Sequence, residues 1–115
     1  MQGYVLSLPI GPRSEKVRSY TIPLTVGIGL TRIVNFMAEF RGIARSVAFF
    51  NRDAVNVATI ILNNDRINTF TLASGGSFFL DDQWCEQVEI VAGPAGVVNV
   101  FAEIVPATEL GISAF

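Results

Sequence analysis

The chain has no histidine and a single cysteine, Cys85, among its 115 residues. Without histidine there is no Ser-His-Asp triad, no His-coordinated zinc and no His-rich metal site of the cupin kind. One cysteine allows no internal disulfide and suits a reducing compartment during synthesis. With the usual activating base absent, Cys85 reads as a buried small hydrophobe and not as a nucleophile. Charge is scarce as well: 16% of the residues are charged, against roughly 25% in an average soluble domain. No apolar run reaches the ~18 residues that a membrane-spanning helix needs. Met1-Gln2-Gly3-Tyr4 has no basic start ahead of an apolar core, so a signal peptide is not expected. Gly27-Ile28-Gly29 lacks the rest of a dinucleotide fingerprint or a P-loop. These absences leave no catalytic set, and neither an enzyme nor a cofactor is expected.

What is present is rhythm. Short apolar runs follow one another at even spacing, each closed by a small polar turn. The turns are Asn51-Arg52-Asp53, Asn63-Asn64-Asp65, Ser74-Gly75-Gly76 and Gly93-Pro94-Ala95-Gly96. Asn and Asp bond to their own backbone and tolerate positive φ, and glycine opens conformations closed to other residues. The pattern predicts strands near 44–50, 55–62, 67–72, 77–80, 87–92 and 97–105, with an earlier strand over 16–25. The last turn suggests a hairpin with a four-residue loop. Residues 31–47 fit helical spacing through Ile33, Phe36, Met37, Phe40, Ile43, Ala44 and Val47. They also fit two strands parted near Arg41-Gly42, the reading preferred because Gly42 weakens a helix. The sum is an all-β, jelly-roll-like antiparallel β-sandwich of about eight strands. It forms one domain over 13–115, preceded by an extended N-terminal arm over 1–12. In the arm Tyr4, Leu6, Leu8 and Ile10 alternate with Val5, Ser7 and Pro9, and Pro9 and Gly11-Pro12 end the run.

Several strands are apolar on both faces. In the last one Val98, Val100, Ala102 and Ile104 form the core side, while Val97, Asn99, Phe101, Glu103 and Val105 form the other. In 55–62, Val55, Val57, Thr59 and Ile61 oppose Ala54, Asn56, Ala58, Ile60 and Leu62. On a free monomer the second face sits in water unless the arm or the 31–43 segment covers it from within, and a second copy of the chain is the other cover. Burying one large side chain is worth roughly 1.5–3 kcal/mol, so the surplus points to a homo-oligomer. A trimer is favoured, because a heterologous contact closes into a ring. Candidate interface residues are Tyr4, Leu6, Leu8, Val97, Phe101, Val105 and Trp84.

Net charge is −2, which argues against nucleic acid as a partner. All eight Lys and Arg lie at or before Arg66, and the acids dominate after it. Either the fold interleaves the two halves, or a basic patch on one subunit meets an acidic patch on the next. Asp81, Asp82, Glu86 and Glu89 are the densest acidic group. Lacking EF-hand spacing, they read as a solvated loop and strand face, so no metal is expected. Trp84 beside them is a core plug, an interface anchor or a ligand platform.

The order from Arg45-Ser46-Val47-Ala48-Phe49-Phe50-Asn51-Arg52 to Val57-Ala58-Thr59-Ile60-Ile61-Leu62-Asn63-Asn64 is distinctive. It continues through Phe70-Thr71-Leu72-Ala73-Ser74-Gly75-Gly76-Ser77-Phe78, Asp81-Asp82-Gln83-Trp84 and Val88-Glu89-Ile90-Val91. This order resembles the head decoration (cement) proteins of tailed bacteriophages, small β-sandwich virion proteins. The resemblance covers about half the chain and leaves the arm and residues 25–43 unmatched. It implies a virion structural protein, made in the host cytoplasm and placed on the capsid surface. Such a protein is an oligomer that clamps neighbouring copies of the major capsid protein, with no membrane partner. The alternatives are a carbohydrate- or receptor-binding module of a virion and a shell-forming jelly-roll subunit.

Overall fold

The structure is a computed structural model that describes residues 18–111. The expected arm, with Tyr4, Leu6 and Leu8, lies outside these residues. Eight strands run β1 Tyr20–Val26, β2 Thr31–Asn35, β3 Gly42–Asn51, β4 Ala58–Leu62, β5 Phe70–Leu72, β6 Ser77–Leu80, β7 Gln87–Val91 and β8 Val98–Pro106. A one-turn helix, α1 Phe36–Phe40, separates β2 from β3, and a 3-10 turn over Ala107–Leu110 follows β8.

The strands form two antiparallel four-stranded sheets. One, the first sheet below, has the order β1-β8-β3-β6; the second has the order β2-β7-β4-β5. First therefore pairs with eighth, second with seventh, third with sixth and fourth with fifth. That nesting is a long hairpin rolled up on itself, the topology of a jelly roll. It corrects one expectation. Gly93-Pro94-Ala95-Gly96 does not close a hairpin, because β7 and β8 belong to different sheets and the loop carries the chain across the sandwich.

Alternation places the core. Val26, Val47, Phe49, Val98, Val100, Ala102 and Ile104 of the first sheet face Val34, Ala58, Ile60, Leu72, Val88 and Ile90 of the second. Phe78 packs its ring 6.2 Å from Phe49 and 4.8 Å from Phe70, so three aromatic rings bridge the sheets near β5 and β6. Such ring pairs add about 0.5–1.5 kcal/mol beyond the area they bury.

The ambiguous stretch 31–47 contains both kinds of structure. The two expected strands are present as β2 and β3, but a helical turn over residues 36–40 parts them, with Gly42 already the first residue of β3. The side chain of Asn35 accepts a hydrogen bond from the Ala38 N–H at 3.0 Å, an N-cap that starts the turn. Arg41 ends it in the left-handed region at φ 55°. Gly42 then has no room for a side chain, since a Cβ there would lie 2.5 Å from the Val105 carbonyl oxygen. Strand β4 begins at Ala58, later than expected, because residues 52–57 form a loop of a different kind.

Candidate interaction surface

That loop holds the most organised polar group among the described residues. Asn51-Arg52-Asp53 has the sequence of a small polar turn, yet Asn51 and Asp53 are both buried. The Asn51 amide donates to the carbonyls of Asn56 (3.0 Å), Leu72 (3.2 Å) and Ala73 (3.1 Å), joining the end of the first sheet to the second. Its oxygen accepts from the Asp53 N–H. The Asp53 carboxylate accepts from the N–H groups of Val55, Asn56 and Ala95 and from the Asn56 amide. Burial pushes its pKa up, but these donors together outweigh burial and hold it at about 2. Gly93 and Gly96 are required here: a Cβ on Gly96 would lie 2.4 Å from the Asp53 Cα, and one on Gly93 would lie 2.5 Å from Asp53 Oδ2. The group therefore locks together the loops 52–57, 73–76 and 92–97. The donors to the carboxylate come from the loops it joins, and the arrangement reads as a clamp and not as a ligand site.

The same end of the sandwich carries exposed apolar tips. The Gly29 N–H donates to the Gly93 carbonyl at 2.9 Å, which brings loop 27–30 beside 92–97. Ile28, Leu30, Val55 and Val57 are all exposed on these loops.

A broader apolar surface covers the outer face of the first sheet. Cross-strand register aligns Pro23, Phe101, Ala48 and Phe79 in one row across β1, β8, β3 and β6. The next row holds Thr25, Asn99, Phe50 and Ser77. Phe101 meets Phe50 edge to face at 5.9 Å, and the Arg52 guanidinium sits 5.6 Å from the Phe50 ring centre. Phe79 is 72% exposed and Phe101 43%. Beyond them Glu103 pairs with Arg45 at 2.7 Å and accepts from the Ser19 hydroxyl at 2.6 Å.

Of the sequence candidates, Phe101 lies in this aromatic row. Val97 lies half-buried in the loop before β8, where its carbonyl accepts from the Arg52 N–H. Val105 does not belong to the exposed surface: it is fully buried by the chain itself, opposite Ile43. Trp84 is 51% exposed on the connection from β6 to β7, at the far end from the clamp, so it does not plug the core. The same surface also contains Phe79 and Pro23 in this row and Phe50 in the next, none of them a candidate from the sequence. A signal for two of them was present. Phe49-Phe50 and Phe78-Phe79 are doublets, and in a strand one member of a doublet must face outward.

The acidic group does not converge. Asp81 accepts from the Ser46 hydroxyl at 3.4 Å, whereas Glu89 pairs with Arg66 on the second sheet. Among the described residues no three His, Cys, Asp or Glu side chains gather as metal ligands would. Arg45 with Glu103 and Arg66 with Glu89 each join the basic half to the acidic half, so the topology interleaves them. Cys85 is buried, its thiol donating to the Gln87 carbonyl, and burial pushes its pKa up to about 11.

No protein-family model matches the chain, and no curated protein matches it. A solved chain from work on Bacillus endospore appendages, described as a novel family of disulfide-linked pili, is similar in structure. The TM-score is 0.43 at 16% identity, over 77% of this chain and 86% of that one. A likeness at that level bears on neither family nor function. None of these comparisons carries the likeness to phage head decoration proteins.

Proposed function

We propose that this protein is a structural subunit, without enzymatic activity or cofactor, that works as a homo-oligomer. In its specific form the proposal is a virion protein, made in the host cytoplasm, whose trimer decorates a capsid and braces neighbouring copies of the major capsid protein. The observation that carries it is the aromatic row on the first sheet's outer face, Pro23, Phe101, Ala48 and Phe79 with Phe50 beside them. Covering one exposed phenylalanine gains roughly 1.5–3 kcal/mol. Two or three such rings offset a good part of the roughly 4–15 kcal/mol cost of association. Repetition on a lattice supplies the rest through avidity.

Light scattering on the purified chain, wild type beside Phe79→Lys/Phe101→Lys, tests the oligomer. An oligomeric wild type and a monomeric, folded double variant are expected. A wild type that stays monomeric at micromolar concentration would overturn the proposal. Co-sedimentation of both proteins with native particles tests the capsid, and only the wild type should pellet.

The exposure of Trp84 favours a second reading, a carbohydrate-binding module in which the indole stacks on a sugar ring beside Asp81 and Asp82. Glycan-array binding lost in Trp84→Ala would establish it in place of the first. Trp84 fluorescence unquenched by acrylamide would count against it.

A further inference from the structure

The two side edges of the sandwich are built differently. At one edge β1 carries Pro23 in mid-strand, and β2 carries Arg32 paired with Glu39 at 2.8 Å. Proline and charge are the ordinary means of blunting an exposed strand edge. At the other edge lie β5 and β6, the outermost strands of the two sheets. The whole stretch 67–80 that forms this edge has no charged side chain and no proline. The register of β6 against β3 is regular, so no bulge twists the edge away.

Between β5 and β6 the sandwich is open. A cavity of about 230 Å³ is lined by Ile60, Phe70, Leu72, Ala73, Gly76 and Phe78. It is smaller than the roughly 300–1,000 Å³ of sites for drug-sized ligands, and its scale suits one or two inserted side chains. An apolar slot beside a strand edge that is unpaired among the described residues is what β-augmentation uses: backbone hydrogen bonds supply affinity and pockets for alternate side chains supply register.

We infer that the β5–β6 seam receives the N-terminal segment Tyr4–Leu8 of a neighbouring copy of this chain, added as a strand along β6. The inference rests on the assembly reading above and names one of its contacts. Two features of the segment identify it. Residues 1–12 have no charged side chain, matching the uncharged edge. Tyr4, Leu6 and Leu8 alternate with Val5 and Ser7, so one set faces the slot that Phe70 and Phe78 help to line while the other lies beside Ser77 and Phe79. Pro9 ends the run, so the segment offers five residues to a β6 of four. The described chain begins beside β1, at the far side of the first sheet from β6.

The test is a full-length double variant, Ser7→Cys/Ser77→Cys, oxidised with diamide and run on a non-reducing gel. The two positions share a face in the proposed pairing, and the buried Cys85 takes no part. A ladder of disulfide-linked oligomers is expected, lost when a synthetic peptide of residues 1–12 is added in excess. Val5→Cys/Ser77→Cys provides a second register. An internally bridged monomer in both variants would show the segment docking on its own chain and overturn the inference. Free thiols in both would overturn it as well. If light scattering still gives an oligomer for the wild type, that failure is of the seam alone. A monomeric wild type is the failure of the assembly reading.

Discussion

The two sheets are alike inside and unlike outside. Both inner faces are aliphatic and aromatic. Outside, the first sheet presents Pro23, Phe101, Ala48 and Phe79 across its four strands. The corresponding central row of the second sheet is Thr31, Val91, Thr59 and Thr71. Its neighbouring row is Ile33, Glu89 and Ile61, with Arg66 paired to Glu89 across it. β-branched and hydroxylated side chains pack on a pleated surface and still accept water. A row of phenylalanines does not. The sandwich thus has a wet side and a side suited to being covered, and that asymmetry gives an assembly its direction.

The sharpest way to test the contrast is within one doublet. Phe49 and Phe50 are adjacent in β3 and point to opposite faces. Phe49 is fully buried in the core, whereas Phe50 is half-buried in the outer row. Phe49→Ala should cost about 3–5 kcal/mol in urea unfolding. Phe50→Ala should cost well below that and should reduce the oligomer mass. Thr59→Ala on the other sheet should change stability by about 0.5 kcal/mol or less and leave the mass unchanged. Equal losses of oligomer from Phe50→Ala and Thr59→Ala would remove the distinction between the faces.

The next effect in size concerns what holds the two sheets in register at one end. Asn51→Ala removes a donor from the Asn56 and Leu72 carbonyls, whereas the Ala73 carbonyl keeps the Gly76 N–H, and each buried group left unsatisfied costs about 1–3 kcal/mol. The expected loss is the low end of that sum, because part of the loop can relax toward water. Asp53 adds a pH dependence. Its folded pKa, about 2, lies below the ordinary carboxylate value of 3.8. Its contribution is therefore complete above about pH 5 and is lost progressively as pH falls through 3.8 toward 2. Urea midpoints measured from pH 5 to 2 should fall for the wild type and fall less for Asp53→Asn. Parallel curves would show that the clamp does not depend on this charge.

Much of this was legible in the sequence. Strand count, sandwich class and the alternation of β8 follow from apolar periodicity, which reports burial on one face directly. The clamp was not legible. Asn51-Arg52-Asp53 has the composition of a solvated turn, and its burial depends on loops 73–76 and 92–97, far away in the chain, closing over it. The same is true of the hairpin expected at 93–96. Local turn chemistry was read correctly, but only the nesting of eight strands decides that β8 crosses to the other sheet. Val105 failed for a related reason: alternation assigns it a face, not what covers that face. The aromatic row needed register, which sets Phe79 beside Ala48 and Phe101 beyond it; the Phe-Phe doublets imply an outward ring in β3 and in β6 but not that the rings align.

The smallest effect separates charge from apolar contact on the covered face itself. Arg45 and Glu103 lie at its margin, each a little over one quarter exposed. The hydrogen bond from Arg45, then that from Ser19, holds the Glu103 carboxyl below its ordinary value, and Glu103 in turn raises Arg45. A depressed carboxylate stabilises the fold above its unfolded pKa of 4.5 and loses that contribution as pH falls. A pair this open to solvent is worth about 1 kcal/mol or less. A double-mutant cycle with Arg45→Met and Glu103→Gln should return a coupling of that size in the monomer. The cycle should be repeated on oligomer dissociation. If the aromatic row is what a neighbour covers, covering it also removes water from the adjacent pair, and the coupling should grow. A coupling identical in both measurements would place the covered surface elsewhere on the molecule.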